Sequence, residues 1–348
     1  MAEQSLSETG REMRAAVYSG RGRHLFVTTV PVPVPGRKEL LVRIQRSGVC
    51  GSDLSALSNP PSANLAAGAT ILGHEFSGDI VEIGPASADF KVGDHVTSMA
   101  FAGCGECPSC GAGSAAWCSE RRSLRGAFAQ YAITTVPSCW RLPESTPDSV
   151  GALAEPLAVA VHSLSLAGAL TGARVLILGA GPIGILVARL ANSRGASRIV
   201  ISSRTAQTQR TIAALTDAMF VPLDELGSSL PGALSGPPDV VFDCAGGADT
   251  LTLATAMIRP RGRIVVVAGY QGPTWITPID LLRKEVDIQF SVAYTSSDFD
   301  RAIEIVGHEH NSLSALITRT VTWDEFPAAV NSCVNGPRDG KLQLAPQM

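Results

Sequence analysis

The sequence predicts an α/β protein with two domains, one mostly β and one built on a doubly wound parallel sheet. Its 348 residues correspond to two domains at about 150 residues each. The first 150 residues contain short valine-rich runs, whereas from about residue 160 the order is strand, glycine turn, helix, strand. After about residue 297 the elements become shorter again, so we expect the first domain to be completed by the C-terminal segment.

The mostly β part is predicted from short runs bounded by proline, glycine and serine. Leu25–Val30 and Leu40–Ile44 are rich in β-forming residues. Residues 78–84 alternate apolar and polar side chains between two glycines, which is typical of a half-buried strand.

The parallel part is predicted from longer apolar runs that alternate with helical patterns. The predicted strands are Arg174–Leu178, Arg198–Ser202, Asp239–Asp243 and Arg263–Ala268, and the predicted helices are Pro182–Arg194 and Ala248–Ile258. Strands that alternate with helices form parallel sheets with right-handed crossovers.

Composition and charge exclude several classes of protein. The chain is 45% hydrophobic and 17% charged, so it is not intrinsically disordered. A net charge of −3 does not favour nucleic acid as a partner. The polar residues 1–12 do not have the apolar centre of a secretory signal. Two uncharged stretches are long enough to be considered as membrane spans, but we expect Leu54–Gly73 to be a loop and Pro156–Ala173 a buried helix. We therefore expect a cytoplasmic protein with no membrane contact.

A glycine turn follows the first parallel strand. Gly179, Gly181 and Gly184 fit the pattern G-x-G-x-x-G, with Pro182 and Ile183 at its variable positions. The first glycine allows a tight turn, the second lets the backbone approach a pyrophosphate, and the third allows close packing of helix on strand. The turn predicts a dinucleotide site.

The end of the second parallel strand predicts which dinucleotide binds. Sites for NAD usually carry an acidic residue there, but this sequence has Ser202, Ser203 and Arg204, and no acidic residue between Glu155 and Asp217. A hydroxyl followed by arginine suits a 2′-phosphate, so Ser203, Arg204 and, less directly, Arg210 predict NADP(H) rather than NAD(H).

Four crowded cysteines predict a structural zinc site. Cys104, Cys107, Cys110 and Cys118 have the spacing C-x2-C-x2-C-x7-C, which closes a tetrahedral thiolate cage with no open position. The other cysteines outside the metal motifs, at positions 139, 244 and 333, are isolated and are expected to serve packing.

A second group of residues offers the ligands of a catalytic metal. Cys50-Gly51-Ser52-Asp53, Gly73-His74-Glu75 and Glu155-Pro156 supply thiolate, imidazole and carboxylate, a set suited to zinc with one position left for substrate. His95, by contrast, is expected to be a surface turn residue.

In this order the motifs resemble the zinc-dependent medium-chain dehydrogenase/reductase family, specifically its polyol, butanediol and threonine dehydrogenase branch. The residues that carry the resemblance are Gly73-His74-Glu75-x2-Gly78-x5-Gly84, the cysteine motifs, Gly126–Tyr131, Glu155-Pro156-Leu157 and the glycine turn. The resemblance extends from about Met13 to the C-terminus.

The resemblance implies an architecture and a set of roles. It implies a GroES-like catalytic domain of residues 1–160 and 297–348, with a structural zinc lobe at 103–119, a Rossmann domain of residues 161–296, and a homodimer or homotetramer. Cys50 and His74 would bind catalytic zinc together with Glu75 or Glu155, giving two zinc ions per subunit. Ser52 would take the alcohol proton, and Asp53 would orient His74.

The sequence departs from the family at three places. The family's relay histidine is Ser55 here, the stretch before Gly126 is short, and Ala293 stands where sorbitol-type relatives carry arginine before the tyrosine. The last departure disfavours a sugar alcohol and favours a butanediol-type substrate.

The function that follows is a zinc-dependent alcohol dehydrogenase or ketone reductase using NADP(H). The first alternative is a family member recruited to non-redox chemistry, such as a lyase or isomerase of secondary metabolism. The second is a zinc-ribbon binding module that has lost catalysis or that binds nucleic acid, which the intact ligand set and the net charge of −3 disfavour.

Overall fold

The structure is a computed structural model that describes residues 10–18, 25–58, 70–336 and 338–348. The chain divides into two compact units. The first unit contains Met1–Pro156, Thr295–Gly336 and Lys341–Met348, and the second contains Leu157–Tyr294 and Pro337–Gly340. The first unit is therefore assembled from segments that precede and follow the second in the sequence.

The strands fall into four sheets, of which three lie in the first unit. Among the described residues the strands are β1 (Glu12–Tyr18), β2 (Leu25–Pro31), β3 (Glu39–Gly48), β4 (Thr70–Ile71), β5 (Glu75–Ile83), β6 (His95–Ser98), β7 (Phe101–Ala102), β8 (Arg122–Ser123), β9 (Tyr131–Thr135), β10 (Cys139–Arg141), β11 (Arg174–Leu178), β12 (Arg198–Ser203), β13 (Met219–Pro222), β14 (Val240–Asp243), β15 (Arg263–Val266), β16 (Asp287–Phe290), β17 (Ile317–Val321) and β18 (Lys341–Leu344).

The α-helices are shorter and lie between the strands. Within the described ranges they are α1 (Gly51–Ser58), α2 (Pro108–Gly111), α3 (Asp148–Gly151), α4 (Ala154–Ala167), α5 (Pro182–Ser193), α6 (Gln209–Leu215), α7 (Leu226–Leu234), α8 (Thr250–Met257), α9 (Pro278–Lys284), α10 (Ser296–His308), α11 (His310–Leu313) and α12 (Phe326–Asn335).

The main sheet of the first unit has the order β10-β6-β5-β3-β18-β17, and β9 also pairs with β3. Strand β3 is buried on both faces: Leu40, Val42 and Ile44 pack into one apolar cluster, and Leu41 packs into another with Val17. Strand β18 pairs antiparallel with β3 and parallel with β17. The C-terminal strand is therefore an interior strand of this sheet.

The segment Leu54–Gly73, predicted to be a loop, is helical at its start. Leu54 and Leu57 are three residues apart on α1 and are buried in an apolar cluster that also contains Phe326 of α12. This packing outweighs the low helix propensity of the serines, so the prediction is wrong up to Ser58. Residues 59–69 of that segment lie outside the described residues.

The second unit contains the predicted parallel sheet, with the order β13-β12-β11-β14-β15-β16. The predicted strand Arg174–Leu178 is confirmed as β11, and the predicted helix from Pro182 is confirmed as α5, which ends one residue earlier than expected. Strands β13 and β16 at the two edges were not predicted, because their short runs carry little apolar periodicity.

The predicted buried helix Pro156–Ala173 corresponds to α4, which begins earlier and ends at Ala167. Together with α3 it forms a stretch, Asp148–Ala167, long and apolar enough to cross a membrane. In the structure 78% of its apolar window is buried inside the protein, as expected for a core helix.

Candidate active site

The carboxylate of Asp53 joins the two chain segments that carry the predicted zinc ligands. Its Oδ2 accepts the backbone N–H of Cys50 at 3.0 Å, and its Oδ1 accepts that of Gly73 at 3.3 Å. The same Oδ1 lies 3.7 Å from Nδ1 of His74. Asp53 is buried on the first turns of α1, so both segments are held against a fixed helix.

His74 follows a turn that only glycine can make. Gly73 has a φ of +89°, and a Cβ on it would lie 2.5 Å from the ring of Phe128. The carbonyl of Gly73 accepts the N–H groups of Gly126 and Ala127. The ring of Phe128 thus closes one side of the turn, and the imidazole is directed toward Asp53 and Cys50.

Cys50, His74 and Glu75 form a potential metal-binding cluster, in which one ligand atom of each lies within 4.8 Å of the others. Burial lowers the pKa of His74, but the negative charges of Asp53 and Cys50 outweigh burial and raise that pKa well above its usual value. The pocket therefore favours positive charge.

The side chain of Lys341, which sequence analysis missed, occupies this cluster from strand β18. Its Nζ donates to both carboxylate oxygens of Glu75, at 2.7 and 2.6 Å, and the side chains are only 3% and 1% exposed. Burial lowers the pKa of Lys341, whereas the charge of Glu75 raises it, and the net direction is upward. Gly48 belongs to β3, the strand between those of Glu75 and Lys341. A Cβ on it would be 2.4 Å from Glu75 Oε2, so only glycine leaves room for the pair.

Glu155 lies on the first turn of α4 and is buried. Its negative charge is one of the smaller influences that raise the pKa of His74 and of Lys341. Ser52 lies on the first turn of α1 and is exposed.

The donor set fits a divalent metal ion. Thiolate, imidazole and carboxylate are the ligands that zinc prefers in catalytic sites. Four acidic groups, Cys50, Asp53, Glu75 and Glu155, surround one lysine and one imidazole, and raised pKa values of the basic groups show that this charge favours a cation.

The four-cysteine lobe has the geometry of a thiolate cage. Its four sulfur atoms lie within 4.8 Å of one another, and Sγ of Cys104 is 3.9 Å from Sγ of Cys110. Zinc–sulfur bonds of about 2.3 Å in a tetrahedron separate the sulfurs by about 3.8 Å. Backbone N–H groups of Glu106 and Cys107 lower the pKa of Cys104 to about 7, which favours the thiolate that a metal binds.

The glycine turn opens α5 as the motif requires. Gly179 has a φ of +106°, and a Cβ on Gly184 would lie 1.9 Å from the carbonyl oxygen of Gly179. Apart from its two chain neighbours, no described residue has an atom within 4 Å of the Cβ position of Gly181, so this side of its backbone is open to a ligand. Pro182 occupies the first turn of α5, where Ile183 follows it, and the N-terminal N–H groups of this helix suit a pyrophosphate.

Ser203 and Arg204 follow the neighbouring strand. Ser203 ends β12, and its hydroxyl donates to the carbonyl of Thr205 at 2.7 Å. Arg204 and Arg210 are exposed, and neither takes part in an ion pair with the described residues. Both guanidinium groups are therefore available to an anion.

His95 is not the surface turn residue that the sequence suggested. It begins strand β6, and its Nε2 lies 3.0 Å from Oδ1 of Asp148 in α3. Val92 and Gly93 make the turn before it, which the N–H of Asp94 closes onto the carbonyl of Lys91, and the histidine itself joins the ladder with β5. Cys139 is buried, as expected for packing, and burial raises the pKa of the Cys244 thiol.

Comparisons with known proteins identify the family of this chain. The alcohol dehydrogenase GroES-like domain matches residues 36–144, and the zinc-binding dehydrogenase domain matches residues 182–307. Sorbitol dehydrogenase of Halalkalibacterium halodurans is 30% identical over 339 residues, which cover 93% of this chain and 97% of that protein. The chain belongs to the zinc-type medium-chain alcohol dehydrogenase family. The resemblance seen in the motifs is thereby confirmed, as is the combination of a GroES-like and a Rossmann-like fold.

Other relatives of this dehydrogenase differ in substrate. L-threonine 3-dehydrogenase of Pyrococcus horikoshii is 31% identical over 266 residues, 74% of this chain and 75% of that protein. A Sinorhizobium meliloti protein described as a zinc-binding dehydrogenase, solved with NADP bound, superimposes with a TM-score of 0.82 at 29% identity over 97% of this chain and all of that one. Galactitol-1-phosphate dehydrogenase of Escherichia coli gives a TM-score of 0.86 at 26% identity, over 96% and 100% of the chains. This dehydrogenase is an oxidoreductase of the alcohol, polyol or threonine type.

Replacing Lys341 of the dehydrogenase by methionine is expected to lower the free energy of unfolding by about 3–5 kcal/mol, because Glu75 would remain as a buried, unpaired charge. Urea denaturation measures the change. The double variant Lys341→Met, Glu75→Gln removes that charge and is expected to regain most of the loss. Equal instability of the single and double variants would contradict the pairing.

Proposed function

We propose that this dehydrogenase transfers a hydride between NADP(H) and a secondary alcohol or ketone, with zinc bound at Cys50, His74 and Glu155. Diols and polyol-like compounds belong to the substrate class. The observation that carries the proposal is the cluster of Cys50, His74 and Glu75, in which Lys341 holds both carboxylate oxygens of Glu75, so that Glu155 is the carboxylate we assign to the metal. The first unit would be the catalytic domain and the second the cofactor domain.

Each residue of the site has a task in this reaction. When bound, zinc polarises the substrate oxygen, and the nicotinamide accepts or supplies the hydride. During oxidation the Ser52 hydroxyl would accept the proton from the alcohol while it passes its own hydroxyl proton to solvent, to which Ser52 is exposed, and the reverse transfer would supply the proton during reduction. Asp53 fixes the backbone of Cys50 and orients the imidazole of His74, and so keeps the ligands in place before substrate arrives.

The cysteine lobe would hold a second zinc ion. Four thiolates leave no position for substrate, so this ion would stabilise the lobe rather than take part in catalysis. The dehydrogenase would then contain two zinc ions per subunit. Both sites need reduced cysteines, which supports a cytoplasmic location.

The cofactor preference rests on the end of β12. The two exposed arginines, Arg204 and Arg210, offer guanidinium donors to a 2′-phosphate, and the Ser203 hydroxyl, which donates to the carbonyl of Thr205, would turn from that carbonyl to join them. The NADP bound to the Sinorhizobium meliloti protein supports the same preference.

A homodimer is the assembly that the second unit supports best. Strand β16 is the last strand of its sheet, and large apolar side chains around it are exposed: Trp275, Ile276, Ile279, Leu282, Phe290 and Val292. An exposed edge strand with apolar side chains promotes pairing with a second copy of the same strand, and such pairing is symmetric.

The metal and the reaction are tested together. Wild-type protein is expected to contain two zinc ions per chain and to oxidise secondary alcohols, vicinal diols or polyols with NADP⁺. Cys50→Ser is expected to contain one zinc ion and to lose at least about a thousandfold in kcat/KM, because the substrate oxygen is no longer polarised. Cys333→Ser, outside both clusters, is the control and keeps both ions and full activity. Full zinc content and wild-type rates in Cys50→Ser would refute the assignment.

The cofactor preference is tested by binding measurements. Arg204→Ala removes a charge-assisted hydrogen bond and is expected to raise the Kd for NADP⁺ by about 10- to 100-fold while changing that for NAD⁺ by less than about twofold. Arg198→Ala removes the same charge at the opposite end of β12 and serves as the control. Equal losses for both cofactors would show that Arg204 does not contact the 2′-phosphate.

The dimer is tested by sedimentation at micromolar concentration. Phe290→Glu places a charge on the edge strand and is expected to shift the equilibrium toward monomer by at least about tenfold in Kd. Val92→Glu alters another exposed apolar side chain, in the first unit, and is expected to leave association unchanged. A monomeric wild-type protein would overturn the proposal.

A further inference from the structure

The side chain of Asp243 is a buried carboxylate that the proposed reaction does not use. It ends strand β14 and is completely inaccessible to solvent. Its Oδ1 accepts the N–H groups of Ala245 and Gly246, at 3.0 and 3.1 Å. Its Oδ2 accepts the hydroxyl of Thr250 at 2.9 Å and the hydroxyl of Tyr270.

A buried anion without a cation is costly unless hydrogen bonds replace its hydration. None of the ion pairs among the described residues includes Asp243, so its four donors provide this compensation. Charge-assisted hydrogen bonds are stronger than neutral ones, and four of them converging on one carboxylate fix the donors relative to each other. The arrangement is that of a rigid connector.

The donors come from two loops and one helix. Ala245 and Gly246 belong to the loop after β14, Thr250 begins α8, and Tyr270 belongs to the loop after β15. The N–H groups of Val267 and Ala268 also donate to the carbonyl of Asp243, at 2.9 and 3.0 Å. One residue therefore ties together the loops that follow two adjacent strands.

These loops lie directly beside the glycine turn. A Cβ on Gly179 would be only 2.8 Å from the nitrogen of Ala245, and a Cβ on Gly246 would be 3.0 Å from Cβ of Ala268. The loop of residues 244–247 is thus packed between the turn after β11 and the loop after β15. All three segments follow the carboxyl ends of parallel strands, where this type of sheet binds its ligands.

The order of the strands gives each loop a part of the dinucleotide. Arg204 after β12 faces the adenosine phosphate, and the turn after β11 holds the pyrophosphate in the proposed function. In the order of the sheet, β12 and β11 are followed by β14 and then β15. The loops after β14 and β15 therefore lie on the side of the pyrophosphate turn that is opposite to Arg204. We propose that Asp243, with Tyr270, is a positioning residue that holds these two loops in place for the nicotinamide half of the cofactor. This inference rests on the proposed binding of a nicotinamide dinucleotide.

The test compares the whole cofactor with a fragment that lacks nicotinamide. Tyr270→Phe removes one donor to Oδ2 and is expected to raise the Kd for NADP⁺ about tenfold. Asp243→Asn is expected to raise it further, because the Asn side-chain NH2 that replaces Oδ2 cannot accept the hydroxyls of Thr250 and Tyr270. The Kd for 2′-phospho-ADP-ribose is expected to stay within about twofold of wild type in both variants. If the protein binds NAD⁺ more tightly than NADP⁺, the same comparison is made with NAD⁺ as the whole cofactor and ADP-ribose as the fragment.

Thr252→Val is the matched control. The Thr252 hydroxyl donates to the carbonyl of Trp275 at 2.6 Å, so it also links α8 to the segment after β15, but without Asp243. We expect this variant to bind both ligands as wild type does. Tyr270→Phe keeps three of the four donors to the Asp243 carboxylate. If Asp243→Asn does not fold, the binding data of Tyr270→Phe alone test the inference.

Two results would overturn the inference: equal weakening of cofactor and fragment, which indicates a general structural role, or unchanged binding of both. Wild-type protein that binds neither dinucleotide would instead refute the proposed function. The failures of the two proposals are therefore distinguishable.

Discussion

The buried ion pair between Lys341 and Glu75 is the interaction on which the first unit depends. It joins β18 to β5 across Gly48 of β3, and thereby fixes the C-terminal strand inside the sheet to which Glu75 of the candidate metal cluster belongs. A lysine this deeply buried persists only with a carboxylate beside it, and the reverse is equally true. The same contact holds both carboxylate oxygens of Glu75, so a structural pair also shapes the charge of the cluster.

In the second unit, close backbone packing holds the segments around the glycine turn together. Gly179 and Gly184 let the turn, the helix and the loop after β14 approach one another to distances that any side chain would prevent. Polar contacts then lock what the glycines allow, because the carboxylate of Asp243 gathers donors from the loop after β14, the start of α8 and the loop after β15. This edge of the sheet therefore combines small residues and one satisfied charge with the apolar cluster that contains Leu178 and Val266.

The sequence predicted those parts whose signals are local. The cysteine spacing, the glycine turn and the strand Arg174–Leu178 were all visible, because each depends on residues close together in the chain. Lys341 was not, since a single lysine in a short strand gives no sign of a partner 266 residues earlier. The connection of Asp243 to Tyr270 was missed for the same reason. His95 was assigned to a turn because its glycine and aspartate neighbours favour one, although sheet pairing places it in a strand.

The order of the segments in the chain has a consequence for biosynthesis. Glu75 leaves the ribosome 266 residues before the lysine that neutralises it, a delay of roughly 10–50 s at 5–20 residues per second. Throughout that interval β3 lacks its neighbour β18, while residues 157–294, which belong to the second unit, are synthesised as one continuous stretch. The first unit is therefore the vulnerable one, because one edge of β3 stays unpaired, open to chaperones and to aggregation, until β18 has been synthesised.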